Sequence, residues 1–241
     1  MMAYEKKGLL YSGKVKSLYE TQSKEYLIAH FRDDTTAFDG EKCEKLGDKG
    51  KINNLISSHI MKILAEAGVP THYVEMLAPD EVLVKRLQMI QLESVVRNIA
   101  AGSLCRRLGV PQAQVLSAPL YEIFLKNDEL HDPMVTDEHA LAFGWATKDQ
   151  LNQMHELTLA INQVLKDLFL KAGMILVDAK FEFGVTADGK VCLGDEISPD
   201  SCRIWDIETK EPLDKDRFRK NLGGVVDAYK EIARRLEIAI A

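Results

Sequence analysis

Charged side chains recur at every second position in Asp178-Ala-Lys-Phe-Glu-Phe-Gly184. Strand side chains alternate between faces, so Asp178, Lys180 and Glu182 share one face and Ala179, Phe181 and Phe183 the other. The apolar run Met174-Ile-Leu-Val177 leads straight into this segment, so the charged face starts from the interior. Asp188-Gly189 follows as a two-residue hairpin signal. With those two residues as the loop, Ala187 faces Lys190, Thr186 faces Val191 and Glu182 faces Asp195. Carboxylates directly opposite one another repel. A divalent cation between them turns the repulsion into coordination, and oxygen-only ligands beside phosphate favour Mg2+. Otherwise one carboxylate turns into solvent or pairs with Lys180.

Three further segments carry charge in a pattern that chemistry can use. Asp195-Glu-Ile-Ser-Pro-Asp-Ser-Cys-Arg-Ile-Trp-Asp206 gathers acids, Ser198, Ser201 and Arg203 in a short polar loop at a strand exit. Function concentrates in such loops. Arg203 suits bidentate capture of a phosphate or carboxylate, or else an ion pair with Asp200 or Asp206. Val95-Val-Arg-Asn-Ile-Ala-Ala-Gly-Ser103 reads as a buried strand, a small-residue turn and a helix start. Ser103 occupies the N-cap position and Gly102 permits close backbone approach, which serves either phosphate binding or simple capping. Arg97 and Arg106 or Arg107 add positive charge there. In Gly13-Lys-Val-Lys-Ser17, Lys14 and Lys16 fall on one strand face, as phosphate partners or as solvated lysines. Neither GxxxxGK[ST] nor GxGxxG occurs, so a Walker-type NTPase and a dinucleotide fold are unsupported.

The elements that must position these residues follow from periodicity. Residues 8–32 read as two or three short strands, broken at Gly13 and at Glu20–Lys24. Ile52 to Ala67 is an amphipathic helix ended by Gly68 and Pro70. Strands follow at about 72–77, 81–87 and 92–97, then a short helix over Leu104–Leu108. Residues 110–147 look loop-rich, with Pro111, Pro119 and Pro133. Asp149 to Lys171 is the longest helix, with Leu151, Met154, Leu157, Ile161, Val164, Leu165 and Leu168 as its core stripe. A C-terminal helix is expected from Asp216 to Ile238, with Leu222, Val225, Val226, Tyr229, Ile232 and Leu236 inward. Strands first and interleaved elements later indicate α+β in two lobes, divided near residue 85.

With 241 residues the chain is one large domain or two small lobes, long enough for a core without staples. Its 46% apolar and 28% charged residues exclude disordered and fibrous classes. A net charge of −6 argues against a protein built mainly to grip nucleic acid. No apolar run approaches the ~18 residues of a membrane span. Met1–Lys7 has no signal-peptide pattern. Cys43, Cys105, Cys192 and Cys202 are scattered, without a CxxC pair, and read as small buried hydrophobes. The six histidines form no relay and no zinc pattern. A soluble, reduced, cytoplasmic protein is expected.

Val95–Ser103, Leu176–Gly184 and Gly194–Asp206, in that order, resemble the SAICAR synthase family. The similarity spans essentially the whole chain, from Gly13-Lys-Val-Lys16 to Asp214-Lys-Asp-Arg-Phe-Arg219. The resemblance implies a two-lobed α+β fold related to ATP-grasp enzymes, with antiparallel sheets and helices. Residues 1–85 would form the smaller nucleotide-binding lobe and 86–241 the larger lobe with the metal and substrate site. It implies that ATP phosphorylates the carboxylate of carboxyaminoimidazole ribotide (CAIR). The amine of L-aspartate then displaces phosphate, giving SAICAR and ADP in purine biosynthesis. In this resemblance Lys14, Val15, Lys16 and Lys126 contact the nucleotide, Lys85 and Leu87 offer backbone groups to adenine, and Met89 packs on it. Glu182 and Asp195 hold Mg2+. Arg97, Ser103 and Arg203 anchor the ribotide. Asp178 and Lys180 face the reacting carboxylate, with Asp178 as the candidate general base. Arg219 and the loop from Asp34 to Asp39 line the aspartate or ribotide site. A homodimer is expected from the family. A small-molecule or phosphoinositide kinase, or a non-catalytic nucleotide-binding protein, would share the ATP-side residues and differ on the acceptor side.

Overall fold

The computed structural model describes residues 4–37 and 42–240, so Phe38 and Asp39 of the expected substrate loop lie outside the described residues. The chain opens with β1 (Leu9–Ser12), β2 (Lys16–Glu20) and β3 (Tyr26–Phe31). A two-stranded ribbon, β4 (Asp34–Ala37) and β5 (Lys42–Lys45), leads into helix α1 (Lys49–Glu66). Strands β6 (Tyr73–Ala78) and β7 (Glu81–Lys85) then complete an antiparallel sheet in the order β1-β2-β3-β7-β6.

The second sheet begins at β8 (Gln88–Ile99), followed by α2 (Ser103–Leu108), β9 (Val115–Leu125), β10 (Met134–Val135), α3 (Asp137–Ala142) and α4 (Lys148–Lys171). It continues with β11 (Met174–Val185), β12 (Val191–Gly194) and β13 (Cys202–Asp206), and the chain ends in α5 (Asp216–Arg219) and α6 (Val225–Arg235). The strand order is β10-β9-β8-β11. Along its far edge β11 pairs β13 through its first half and β12 through its second. This antiparallel α+β arrangement agrees with the fold class expected from the sequence.

One apolar core underlies the second sheet. Ile52, Ile56, Ile60 and Leu64 of α1, Met154, Ile161, Leu165 and Phe169 of α4, and Phe181 and Phe183 of β11 are all buried in it. Thr147 caps α4 in a capping box with Gln150. Leu157, Val164 and Leu168 of the expected stripe are only partly buried, and Phe169 takes the deepest place at the C-terminal end. Of the cysteines only Cys192 and Cys202 are buried, and Cys43 is exposed. Among the described residues no helix is long and apolar enough to cross a membrane.

Several elements depart from the sequence expectation, β10 and α3 within the loop-rich stretch and the β4–β5 ribbon at Asp34 among them. The stretch expected as loop contains β9, eleven residues long. Its first part is mostly exposed, so it has no alternating pattern to detect. Pro119 sits where the β8–β9 register shifts, in a portion that β10 does not cover, as suits a residue without an N–H. The C-terminal helix is broken in two. The first helical turn ends at Arg219, and Asn221, Gly223 and Gly224, with φ of 56°, 69° and 58°, carry the chain to the start of the next helix. Leu222 falls in that break and is exposed rather than inward. Finally, Gly102 rather than Ser103 is the N-cap of α2, with φ 59° and ψ −124°. Ser103 starts the helix with its hydroxyl free to accept elsewhere.

Candidate active site

The β11–β12 turn holds three residues, not two. Thr186 N–H donates to Lys190 O and Gly189 N–H to Thr186 O, with Gly189 at φ 84°. A three-residue hairpin with glycine in the left-handed position is the next commonest solution after the two-residue one. The register therefore slips by one: Val185 faces Val191, and Glu182 faces Gly194 rather than Asp195. Asp195 leaves the ladder at the following residue with φ 55°, which re-aims its side chain. There it ion-pairs with Lys16 of β2, which also pairs with Glu196. The two sheets are thus joined beside the Glu182 strand.

The face that matters is set by the other neighbour of β11. Strand β8 pairs it so that Arg97 faces Asp178, Val95 faces Lys180 and Glu93 faces Glu182. The opposed carboxylates expected at Glu182 and Asp195 thus occur at Glu93 and Glu182. Lys180 relieves them: its Nζ donates to Glu93 Oε1 at 2.5 Å and to Glu182 Oε1 at 3.3 Å. Lys126 pairs with the other oxygen of Glu182. Burial would lower the pKa of Lys180, but Glu182, Glu93 and Asp195 outweigh it and hold the ammonium well above its usual value. Burial raises Glu93, with Lys180 opposing.

Next to this cluster lies an arginine–carboxylate lattice. Arg97 donates to Glu122 at 2.7 Å, to Asp178 at 3.1 Å and to the Ser103 hydroxyl at 3.1 Å. Arg203 Nη1 donates to both oxygens of Asp178, at 3.1 and 2.8 Å, and its Nε reaches Asp216 at 3.2 Å. Asp200 and Asp206, the partners expected for Arg203, pair elsewhere. Asp206 takes Arg235. Asp200 is held by the fully buried Lys49, by Asn53 Nδ2 at 3.1 Å and by the Tyr229 hydroxyl at 2.6 Å. Gly102 admits Arg203: an added Cβ would fall 2.5 Å from Nη2, at a φ that side chains avoid.

These groups line an open cavity of about 420 Å³. Its walls include Lys14, Arg97, Ser103, Asp178, Lys180, Arg203 and Arg219 from the sequence-derived set. With its cations this cavity can take anionic ligands, and its carboxylates keep the cations oriented. Residues 9–236 match the family model of SAICAR synthetase. A phosphoribosylaminoimidazole-succinocarboxamide synthase of Coxiella burnetii is 64% identical over 241 residues, covering 100% of both chains.

The chain belongs to the SAICAR synthetase family.

Solved structures agree. The family enzyme of Ehrlichia chaffeensis superposes with a TM-score of 0.95 at 42% identity, covering 97% of this chain and 100% of its own. A SAICAR synthetase in complex with ADP gives 0.91 at 44%, covering 94% and 96%.

The remaining residues implied by the SAICAR synthetase resemblance lie outside that cavity lining: Val15, Lys16, Lys85, Leu87, Met89, Lys126, Glu182 and Asp195. Leu87 and Met89 cover Gly184 and Gly194, where an added Cβ would fall 2.7 Å from Leu87 Cβ and 3.2 Å from Met89 Cε. Lys85 Nζ donates to Thr71 O at 3.1 Å. The Val15 carbonyl accepts from Arg32 N–H. Glu93, Lys215 and Asp200 line the cavity and were not assigned a role from sequence. Glu93 had a signal, since it alternates with Val95 and Arg97 on one strand face. Lys215 had none, being one lysine in a charged turn.

Glu182 and Asp195 suit the Mg2+ implied for the family. Both are carboxylates, so the donors are hard oxygens of the kind Mg2+ takes. Among the described residues the one group of three clustered metal-type donors is His30, Asp80 and Glu81, on the first sheet and outside the cavity.

Proposed function

We propose that this chain is an ATP-dependent ligase joining L-aspartate to the carboxylate of CAIR, with SAICAR, ADP and phosphate as products. The observation that carries it is the β8–β11 ladder, which turns Arg97, Asp178, Lys180, Glu93 and Glu182 toward one place. Three anions must meet here, and cations supply the electrostatic stabilisation such a transfer needs. In this proposal residues 1–85 form the nucleotide lobe and 86–241 the metal and substrate lobe. Lys14, Lys16 and Lys126 meet the phosphates, while Val15, Lys85, Leu87 and Met89 meet the rest of the nucleotide. Arg97, Ser103 and Arg203 anchor the ribotide. A homodimer in the cytoplasm belongs to the same proposal.

Glu182 and Asp195 would hold Mg2+, which supplies charge neutralisation on the transferring phosphoryl group. Lys180 stays an ammonium because three carboxylates surround it, so it acts on the reacting carboxylate by charge and not as a base. Asp178 has both oxygens engaged by Arg203 and one of them also by Arg97, so it positions the ribotide anchors. That occupation argues against Asp178 as the general base. The chemistry needs no protein nucleophile: a CAIR carboxylate oxygen attacks the γ-phosphorus and ADP leaves. The deprotonated aspartate amine then attacks the acyl carbon and phosphate leaves.

ADP release measured with MgATP and CAIR, with and without L-aspartate, tests the assignment. Aspartate-dependent amide with matching ADP is expected. Stoichiometric ADP without amide would make the protein a kinase or ATPase and withdraw the acceptor-side roles. Gly102→Ala is expected to raise KM for CAIR about 10-fold or more, as losing one charged contact would, because Arg203 must move. Its KM for ATP should stay near wild type. Equal KM values for CAIR in both proteins would separate Arg203 from the ribotide.

A further inference from the structure

Arg32 follows directly on β3, outside the cavity lining, and its side chain is 26% exposed. Its Nη1 donates to the hydroxyls of Ser12 at 3.1 Å and Ser17 at 2.6 Å. Its Nη2 donates to the carbonyls of Gly13 at 2.6 Å and Lys14 at 3.2 Å. Its Nε donates to Asp34 Oδ2 at 2.6 Å. The main chain adds one more bond, from Arg32 N–H to Val15 O at 2.8 Å. A guanidinium has five N–H groups. All are taken up by the protein, so none is left for a ligand.

What these bonds shape is the turn between β1 and β2. Ser12 and Ser17 stand opposite one another where the strands meet, and Gly13 N–H donates to Lys16 O at 2.8 Å to close the turn. The C=O and N–H of a trans peptide point in opposite directions. With the Gly13 and Lys14 carbonyls drawn to Arg32, the amide hydrogens of Lys14 and Val15 face away from it. Successive main-chain N–H groups in a turn make a concave seat for an anion. From the same turn Lys14 and Lys16 reach the second sheet, pairing with Asp128 at 2.8 Å and with Asp195.

The fifth N–H leads elsewhere. Asp34 opens β4, the strand that carries Thr36 to the cavity wall. Its carboxylate neutralises the guanidinium so close to Lys14 and Lys16, and its carbonyl accepts from Lys49 Nζ at 3.2 Å. Arg32 therefore joins the β1–β2 turn to the first residue of the β4–β5 ribbon.

We propose that Arg32 is a positioning residue for the nucleotide: it fixes the Gly13–Lys16 turn in the shape that receives the phosphates. The place of the nucleotide rests on the ligase reading above. Lysine is no substitute, because one ammonium offers three donors from a single point whereas the acceptors here lie on two sides of a planar fork.

Calorimetric titration of MgADP into wild type, Arg32→Lys and Arg32→Met tests this, with steady-state kinetics beside it. Kd for MgADP should rise about 10- to 100-fold in both variants, the loss expected from one charged hydrogen-bonding group. KM for CAIR and for L-aspartate should stay within about 3-fold, below the effect of one such contact. Ser17→Ala removes one acceptor and leaves the guanidinium, so it serves even where the Arg32 variants do not fold. Its Kd for MgADP should rise about 3- to 10-fold, as for one neutral hydrogen bond. Unmoved MgADP affinity in all three variants would overturn the proposal. Wild-type affinity in Arg32→Lys with loss in Arg32→Met would overturn it too, by making charge and not bracing the cause. So would a lowered melting midpoint with Kd and every KM worsened alike, or a raised KM for CAIR with MgADP affinity unchanged. Wild type that binds MgADP and makes no aspartate-dependent amide would overturn the ligase reading alone, and the Kd values would still decide the role of Arg32.

Discussion

Glu182→Gln should lower aspartate-dependent turnover by about 10²–10³-fold, the range found when one preorganised electrostatic group is lost from an active site. Asp195→Asn should do the same. The fold should survive the Glu182 change, because Lys180 keeps Glu93 as a partner and Lys126 is partly exposed. Glu182 is 4% exposed and carries two ammonium groups, so its loss disturbs the charge balance at the point where phosphate, metal and ribotide would meet. A second measurement separates metal loss from general damage. Mn2+ titration followed by electron paramagnetic resonance, with ADP present, should show weakened binding in both variants. Full turnover with wild-type Mn2+ affinity would remove these two residues from the metal site.

Asp200→Asn should cost about 3–5 kcal/mol of stability, because it leaves the Lys49 ammonium buried without a counter-charge. For a chain of this size that lowers the melting midpoint by roughly 10 °C. Lys49 has no solvent exposure, so water cannot replace the lost partner. The pH dependence has a definite sign. Burial alone would raise Asp200, but Lys49, Lys215 and the bonds from Lys49 and Tyr229 outweigh it and depress its pKa in the folded state. The unfolded carboxylate titrates near about 4. Its stabilising contribution is therefore fully present above that value and is lost as pH falls below it toward the folded value. Melting curves between pH 7 and pH 3 should show a shallower acid limb in Asp200→Asn than in wild type. Parallel limbs would show that the Lys49–Asp200 pair is not what acid breaks.

Both predictions turn on residues that the sequence showed unequally. Glu182 was visible because strand alternation is a local rule. Once Met174–Val185 is a strand, Asp178, Lys180 and Glu182 must share a face. The partner of that face was less visible. Choosing Asp188-Gly189 as the whole loop put Asp195 opposite Glu182, whereas the turn takes in Ala187 as well and moves the register by one. Two- and three-residue turns with glycine near the same place differ too little in local energy for the sequence alone to decide. Strand β9 was invisible for another reason. Its first half is mostly exposed, so pairing with β8, not hydrophobic period, makes it a strand.

By itself the sequence determined the α+β class, the amphipathic helices α1 and α4, the charged face of β11 and the family. Each of these rests on periodicity or on contiguous segments. Only the tertiary structure decided that Glu93 stands against Glu182, that Arg97 and Arg203 share Asp178, and that Lys49 and Tyr229 close on Asp200. Those contacts join residues up to about 150 positions apart. Burial makes them strong, since a charge removed from water must find its partner wherever the packed sheets bring one, and sequence spacing carries no trace of that distance.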